Sequence, residues 1–199
     1  MHLHNLPKIT VLHVLIIILF LIFMTCPAKT VEPAHIGYDT KAPSEYELKA
    51  IYLYNFLQFV QWPKEKCPLP EGKAQEIGVL GDSSFEPVLK ALQEKLKTRN
   101  KQLKLTFYGP YHEGMDLSDC CLLFISSSEL KNLPRILNNL ENKPILTVAD
   151  SNAFINKGVM ITLVAHKNKV RWAINRKPVK KAGLRLNAKL LDIAVEVIN

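Results

Sequence analysis

The fold of this chain is indicated by the stretch IGVLGDSSFEPVLKALQEKL, residues 77–96. Its first four residues form an unbroken apolar run, which is typical of a strand buried on both faces of a parallel sheet. Residues 81–84 are a polar turn, and Phe85 to Leu96 repeat apolar residues at helical spacing. The stretch therefore predicts a strand, a turn and a helix, the repeating unit of α/β folds.

The same alternation continues along the rest of the chain. Further strands are predicted at 103–108, 122–125 and 145–148, a helix opening at 126–129, a hairpin of 159–165 with 170–174, and a last helix over 188–198. The 199 residues contain no repeat of 20 to 50 residues, which excludes a solenoid or a propeller. We predict an α/β fold: a mostly parallel sheet flanked by helices on both faces, with an antiparallel hairpin at the edge.

A helix rich in aromatic residues precedes this alternation, at 44–62. Ser44 and Glu47 have the spacing of a capping box, and Pro63 ends the run. Its apolar residues cover more than one face, so the helix is either buried on most sides or shared between the core and a partner. Burial within its own domain is the favoured interpretation, and the partner alternative stays open.

The N-terminus has the pattern of a secretory signal, and residues 1–28 are predicted to be a cleaved signal peptide. A polar start ends at Lys8, and the apolar run from Val11 to Met24 is shorter than the roughly 20 residues of a membrane-spanning helix. An uncleaved signal anchor is the alternative. We expect residues 29–199 to form one α/β domain in an exported, oxidising compartment, best matched by a periplasm.

Export leaves three cysteines in the mature chain, namely Cys67, Cys120 and Cys121. A disulfide from Cys67 to one of the adjacent pair would leave the third thiol free, and three buried cysteines without a bond are the alternative. The chain has no C-x-x-C motif, and its histidines lack the spacing of zinc ligands. We predict neither a metal site nor a cofactor.

Two polar turns are candidates for ligand binding, because each follows a predicted strand where open α/β sheets hold their ligands. Gly81 and Asp82 end the first strand, and Ser126 ends another. The full G-x-G-x-x-G spacing is absent, no G-x-S-x-G surrounds the serine, and capped turns are the alternative explanation. No set of catalytic side chains stands out by spacing, so we do not expect an enzyme.

Basic charge is concentrated near the C-terminus. Residues 151–191 contain ten Lys or Arg and no Asp or Glu, whereas residues 29–150 contain fifteen basic and sixteen acidic residues. Such a patch attracts anionic partners, such as phosphates, acidic protein surfaces or anionic lipid. Export argues against nucleic acid, and a solvated face without a specific partner is the alternative.

Three segments together resemble the YfiR/HmsC-like family of periplasmic regulators, although each motif alone is weak. They are KAIYLYNF at 49–56 with Phe59 and Trp62-Pro63; IGVLGD at 77–82 followed by CCLLFI at 120–125; and PILTV at 144–148 through GVMI at 158–161 and VRWAIN at 170–175, closing with AGL at 182–184 and KLL at 189–191. Their order and spacing cover nearly all of the mature chain.

The resemblance implies a non-enzymatic repressor that binds the periplasmic portion of an inner-membrane diguanylate cyclase, and so lowers cyclic di-GMP and biofilm formation. It also implies a homodimer and regulation by redox state or by an outer-membrane lipoprotein. Cys120 falls where members often place a cysteine. Position 78, however, is Gly where a cysteine partner is often found, which puts the family's usual redox input in doubt.

Two hypotheses from different classes follow. The first is this repressor, with the partner contacted by the aromatic helix and the basic hairpin; its predicted contact residues are Tyr52, Asn55, Phe56, Phe59, Trp62, Arg171 and Trp172. The second is a periplasmic sensor that binds a small anionic molecule at Gly81, Asp82 and Ser126. An exported enzyme is a distant third.

Overall fold

Strands and helices alternate along the described part of the chain, as the sequence predicts. The structure, a computed structural model, describes residues 43–63, 74–82, 84–167 and 169–199. The predicted signal peptide and Cys67 lie outside the described residues. The elements in chain order are α1 Glu45–Phe59, β1 Val60–Gln61, β2 Gln75–Leu80, α2 Glu86–Lys97, β3 Leu103–Gly109, β4 Leu122–Ile125, α3 Leu133–Asn139, β5 Leu146–Ala149, β6 Ile161–His166, β7 Lys169–Asn175, α4 Arg176–Lys181, β8 Arg185–Leu186, α5 Ala188–Asp192 and β9 Glu196–Ile198.

The main sheet has the strand order β3-β2-β4-β5-β6-β7-β9. Strands β2 to β6 pair in parallel, and β6 and β7 form the antiparallel hairpin. Strands β2 and β4 are neighbours although β3 lies between them in sequence, so the chain changes direction across the sheet between these two strands. The predicted α/β fold with its mostly parallel sheet is confirmed.

The C-terminus differs from the prediction of one long helix over 188–198. Helix α5 ends at Asp192, and Glu196–Ile198 pair in parallel with β7 instead. The β-branched residues of this segment complete the open side of β7, which a helix could not do, so tertiary pairing overrides the local pattern. The hairpin consequently lies one strand in from the edge.

Side chains of the central strands alternate between two hydrophobic clusters, one on each face of the sheet. Leu122 and Phe124 of β4 belong to the first cluster, and Leu123 and Ile125 belong to the second. Helices α1 and α2 cover the first face, and α3 covers the second. The prediction of helices on both faces is therefore confirmed.

Helix α1 begins as predicted and ends earlier. The Ser44 hydroxyl accepts the Glu47 N–H at 3.3 Å, while the Glu47 carboxylate accepts the Ser44 N–H at 2.7 Å, which completes the capping box. The helix stops at Phe59 because Val60–Gln61 pair antiparallel with Arg185–Leu186. This small second sheet joins the end of α1 to Arg185–Leu186, which lie far from it in sequence.

Candidate functional site

An aromatic junction fastens α1 to the hairpin. The Trp172 ring on β7 meets Tyr52 and Phe56 on α1 edge-to-face, with ring centroids 5.1 and 5.4 Å apart. The Trp172 indole Nε1–H donates to the Leu190 carbonyl at 2.9 Å. Phe56 is 1% exposed and Trp172 is 5% exposed. Both side chains are therefore core, and a docked partner could not reach them while the core is intact.

Beside this junction lies a groove of about 490 Å³ between α1 and the hairpin. We name it the helix–hairpin groove; it is lined by Pro43, Glu45, Leu48, Tyr52, Ala165, Lys169, Val170 and Arg171. The lining combines apolar residues of both elements with three charged residues, Glu45, Lys169 and Arg171. Of the predicted contact residues, Tyr52 and Arg171 are brought together in this groove.

The charges at the groove are unevenly paired. Glu45 accepts the Lys49 ammonium at 2.7 Å, and Lys49, itself buried, also lies 3.5 Å from Asp150 after β5. The Arg171 guanidinium donates to the neighbouring Val170 carbonyl at 3.0 Å. Among the described residues, no carboxylate lies within ion-pairing distance of Lys169 or Arg171. The groove therefore carries two cations that have no anionic partner in the part of the chain that the structure describes.

The remaining predicted contacts on the aromatic segment lie outside this groove. Asn55, Phe59 and Trp62 are half-buried, and the last two pack against the first hydrophobic cluster. The Phe59 carbonyl accepts the Asn187 N–H at 2.9 Å, beside the small sheet. The indole N–H of Trp62 is buried and has no hydrogen-bond partner among the described residues. Phe59 and Trp62 thus lie near β1 and β8, and they do not line the groove.

The two predicted ligand-binding turns meet where β2 and β4 end. Leu80 and Ile125 are register partners, and this is the switch point at which open α/β sheets bind ligands. Here the turns bind each other. The Ser126 hydroxyl donates to the Asp82 carbonyl, and the Asp82 N–H donates to the Ser128 hydroxyl at 3.0 Å.

A buried carboxylate completes this arrangement. Glu129 is 3% exposed and accepts the Asn132 amide at 2.8 Å and the Tyr111 N–H at 3.3 Å. Gly81 has φ +86°, and a Cβ there would lie 2.5 Å from the Ser128 hydroxyl oxygen. We name Gly81, Asp82, Ser126, Ser128 and Glu129 the turn cluster. Sequence reasoning missed Ser128 and Glu129, although their place directly after Ser126 was a usable signal.

The adjacent cysteines face opposite sides of the sheet. Cys120 is a free thiol in the second cluster, and Cys121, in the first cluster, is disulfide-bonded. Burial, followed by the nearby Glu76 carboxylate, raises the pKa of the Cys120 thiol to about 12. Cys120 packs over Gly78, where a Cβ would lie 3.1 Å from its sulfur and 2.7 Å from Tyr108 Cε2. A thiol with so high a pKa stays protonated near neutral pH, and it is therefore a poor nucleophile there.

The described residues contain no group of three or more His, Cys, Asp or Glu side chains arranged to hold a metal ion. Among their helices, none combines the length and the apolar character that crossing a bilayer requires.

A family model described as YfiR/HmsC-like matches residues 46–195. Among solved structures, a conserved domain protein from Vibrio cholerae is 11% identical with a TM-score of 0.50, covering 77% of this chain and 60% of that one. An ABC domain from Streptococcus pneumonia, solved with L-Trp, is 12% identical with a TM-score of 0.49, covering 68% and 58%. The chain thus spans about three fifths of each protein's length, and at 11% identity the first likeness concerns the fold alone.

Proposed function

The chain belongs to the YfiR/HmsC-like family, and from that premise we propose that it represses an inner-membrane diguanylate cyclase by binding the cyclase's periplasmic portion. Family membership indicates a non-catalytic periplasmic regulator of diguanylate-cyclase signalling. The finer proposal is that binding favours the inactive arrangement of the cyclase, which lowers cyclic di-GMP and biofilm formation. A signal releases the cyclase by reducing this differential affinity, and each ten-fold reduction corresponds to about 1.4 kcal/mol.

The observation that carries this proposal is the aromatic junction. Because the Trp172 ring packs against Tyr52 and Phe56, α1 and the basic hairpin are held as one rigid surface. A preformed surface avoids the cost of ordering the two elements on binding. In this proposal Tyr52, Asn55, Phe59, Trp62 and Arg171 contact the cyclase, whereas Phe56 and Trp172 support them from within the core.

The proposal is tested in a strain that lacks the chromosomal copy and expresses variants from a plasmid. We expect Phe59→Ala and Trp62→Ala to raise cellular cyclic di-GMP more than their loss of stability explains, and to recover less cyclase on affinity purification. Leu96→Ala is the control for lost core packing, because Leu96 is a 6%-exposed core residue on α2 and is not among the proposed contacts. If cyclic di-GMP follows melting temperature equally in all three variants, the surface role is wrong.

Three further features belong to the same proposal. The signal peptide of residues 1–28 is removed on export, the mature domain forms a homodimer, and an outer-membrane lipoprotein sequesters it. Intact mass spectrometry of the periplasmic protein, light scattering and crosslinked pull-down test these three in turn. A mass that retains residues 1–28 would refute the cleavage.

The Cys121 disulfide is proposed to join Cys67, the one other cysteine of the mature chain besides the free Cys120. Non-reducing peptide mapping should recover a linked pair that contains Cys67 and Cys121. Recovery of a Cys67–Cys120 peptide from folded protein would contradict this pairing.

A further inference from the structure

We propose that the helix–hairpin groove is the docking site for an acidic segment of the partner protein, and this rests on the proposed function. In this arrangement an apolar side chain of the segment enters the groove. Neighbouring carboxylates of the same segment pair with Lys169 and Arg171.

Charge complementarity supports an anionic occupant. The one acidic side chain that lines the groove, Glu45, is already neutralised by Lys49 at 2.7 Å. Lys169 and Arg171 have no ion-pair partner in the described chain, and residues 151–191 supply no acidic side chain. Arg171 can bind a carboxylate through two parallel hydrogen bonds, which adds geometric selectivity to the attraction.

The lining supports a protein segment with an apolar anchor. The groove has an apolar surface formed by Leu48, Tyr52, Ala165 and Val170. Its volume of about 490 Å³ is within the range of sites that bind small molecules. A few side chains of a peptide therefore fit, with their charged neighbours at the rim. This combination of a buried anchor and a polar rim is typical of protein interfaces.

A second groove on the molecule provides an internal contrast. It measures about 310 Å³, and its lining includes Lys181 of α4 and Glu141, which follows α3. These two side chains pair with each other at 2.5 Å, and the Lys181 ammonium lowers the pKa of the Glu141 carboxyl. The cation of that groove is therefore already paired, whereas Lys169 and Arg171 of the helix–hairpin groove have no ion pair with any residue that the structure describes.

A protein segment is favoured over a lipid surface because the feature is concave and local. A membrane attracts every exposed cation of the basic stretch in proportion to its charge. Docking in the groove instead depends on the two cations that line it. Charge reversal at two matched places on the molecule separates these possibilities.

The test uses the full mature protein and, as probe, the periplasmic portion of the cyclase that co-purifies with it. Isothermal titration at low and moderate salt compares the wild type with Lys169→Glu/Arg171→Glu. The matched control is Lys157→Glu/Lys180→Glu, which makes the same charge change at exposed lysines that have no ion pair in the described chain and do not line either groove. Lys169→Gln/Arg171→Gln is the conservative second variant, and thermal melting checks that all variants fold.

We expect the groove reversal to weaken binding at least thirty-fold, roughly the cost of leaving a buried carboxylate opposite a like charge, and the control to weaken it about three-fold or less. Equal weakening by both reversals would overturn the proposal, because attraction would then be unspecific. Wild-type binding that neither reversal affects would overturn groove docking but leave the proposed function standing. Absence of wild-type binding would instead defeat the proposed function itself.

Sedimentation with phosphatidylglycerol vesicles covers the lipid alternative. We expect the two reversals to reduce vesicle binding equally, if the wild type binds at all. A loss confined to the groove reversal, with cyclase binding intact, would assign the groove to anionic lipid and overturn the proposal.

Discussion

The turn cluster and the helix–hairpin groove are both lined by polar and charged groups, but they use them in opposite ways. In the turn cluster the Asp82 N–H, the Ser126 hydroxyl and the buried Glu129 carboxylate are all bonded within the protein. In the groove, Lys169 and Arg171 have no anionic partner among the described residues. These three groups of the turn cluster are satisfied within the protein, whereas the two groove cations have no ion pair among the residues described.

The switch-point position of the turn cluster does not by itself indicate a ligand site, because its polar groups are hydrogen-bonded to each other. The turn cluster lies at the switch point of the sheet, where ligands bind in many α/β proteins. An incoming anion there would have to displace existing hydrogen bonds and approach the Glu129 carboxylate. In our proposal, an acidic segment in the groove would instead meet two cations that have no ion pair within the described ranges, which is why the partner is proposed to dock there.

The largest expected effect concerns the aromatic junction behind the groove. Trp172→Ala should lower the free energy of unfolding by about 3–5 kcal/mol, because it leaves a cavity against Tyr52 and Phe56. Trp172→Phe keeps a ring there and should cost less, through the lost hydrogen bond to Leu190. Urea unfolding followed by circular dichroism measures both. A loss below 1 kcal/mol for the alanine variant would show that α1 and the hairpin are not fastened by this ring.

The second prediction tests whether the turn cluster is closely packed. It compares substitutions at two glycines that both have positive φ. Gly81→Ala and Gly114→Ala both place a side chain at positive φ, +86° and +81°. Only at Gly81 would the Cβ also meet Ser128 and Glu129, since nothing lies within 4 Å of it at Gly114. We expect Gly81→Ala to be less stable than Gly114→Ala by about 1–3 kcal/mol in urea unfolding. Equal losses would mean that the cluster has room for a ligand.

A third prediction extends the comparison to Cys120, a polar group that is likewise removed from water. Its pKa is about 12 in the folded protein, from an ordinary value of 9.0. Above pH 9 the unfolded chain therefore releases a proton that the folded one keeps, so stability falls as pH rises. The expected slope is about 1.4 kcal/mol per pH unit up to pH 12.

The measurement is the unfolding free energy of the wild type minus that of Cys120→Ala, taken at several pH values. The subtraction removes the groups whose titration does not depend on Cys120; Tyr108, whose pKa Cys120 helps to raise, is not one of them. A difference that stays constant between pH 9 and 11 would contradict a buried thiol. Rapid labelling of Cys120 by a thiol reagent at pH 8 in folded protein would do the same.

The smallest expected effect on stability belongs to the groove cations. Lys169→Ala should change the free energy of unfolding by no more than about 0.5 kcal/mol, because Lys169 is exposed and makes no ion pair in the described chain. Chemical denaturation measures this change. A loss above 1 kcal/mol would mean that Lys169 has a structural partner, and the contrast with the turn cluster would disappear.

Several parts of the molecule could be predicted from sequence because their signals are local. The capping box of α1 depends on residues three apart, and the apolar run of β4 needs no knowledge of its neighbours. The segment 196–198 could not be assigned in this way, because its strand exists only through pairing with β7. Similarly, Val60–Gln61 leave the helical pattern to pair with Arg185–Leu186.

The residues of the candidate site also divide into those that the sequence identified and those whose role depends on packing. Tyr52 and Arg171 were identified by an aromatic helix and a basic stretch, both readable in the sequence. That they line one groove depends on how α1 packs over the sheet. Phe56 and Trp172 were predicted as contacts from the same patterns, and their burial follows from that packing.

By itself, the amino-acid sequence determined the α/β class, the start of α1 and the concentration of basic charge in 151–191. These follow from the spacing of neighbouring residues and from composition, which the chain carries in any conformation. Only the tertiary structure decided which polar groups are satisfied and which remain free. Hydrogen bonds such as that from Asp82 to Ser128 join residues 46 positions apart, so they exist only once the strands have paired.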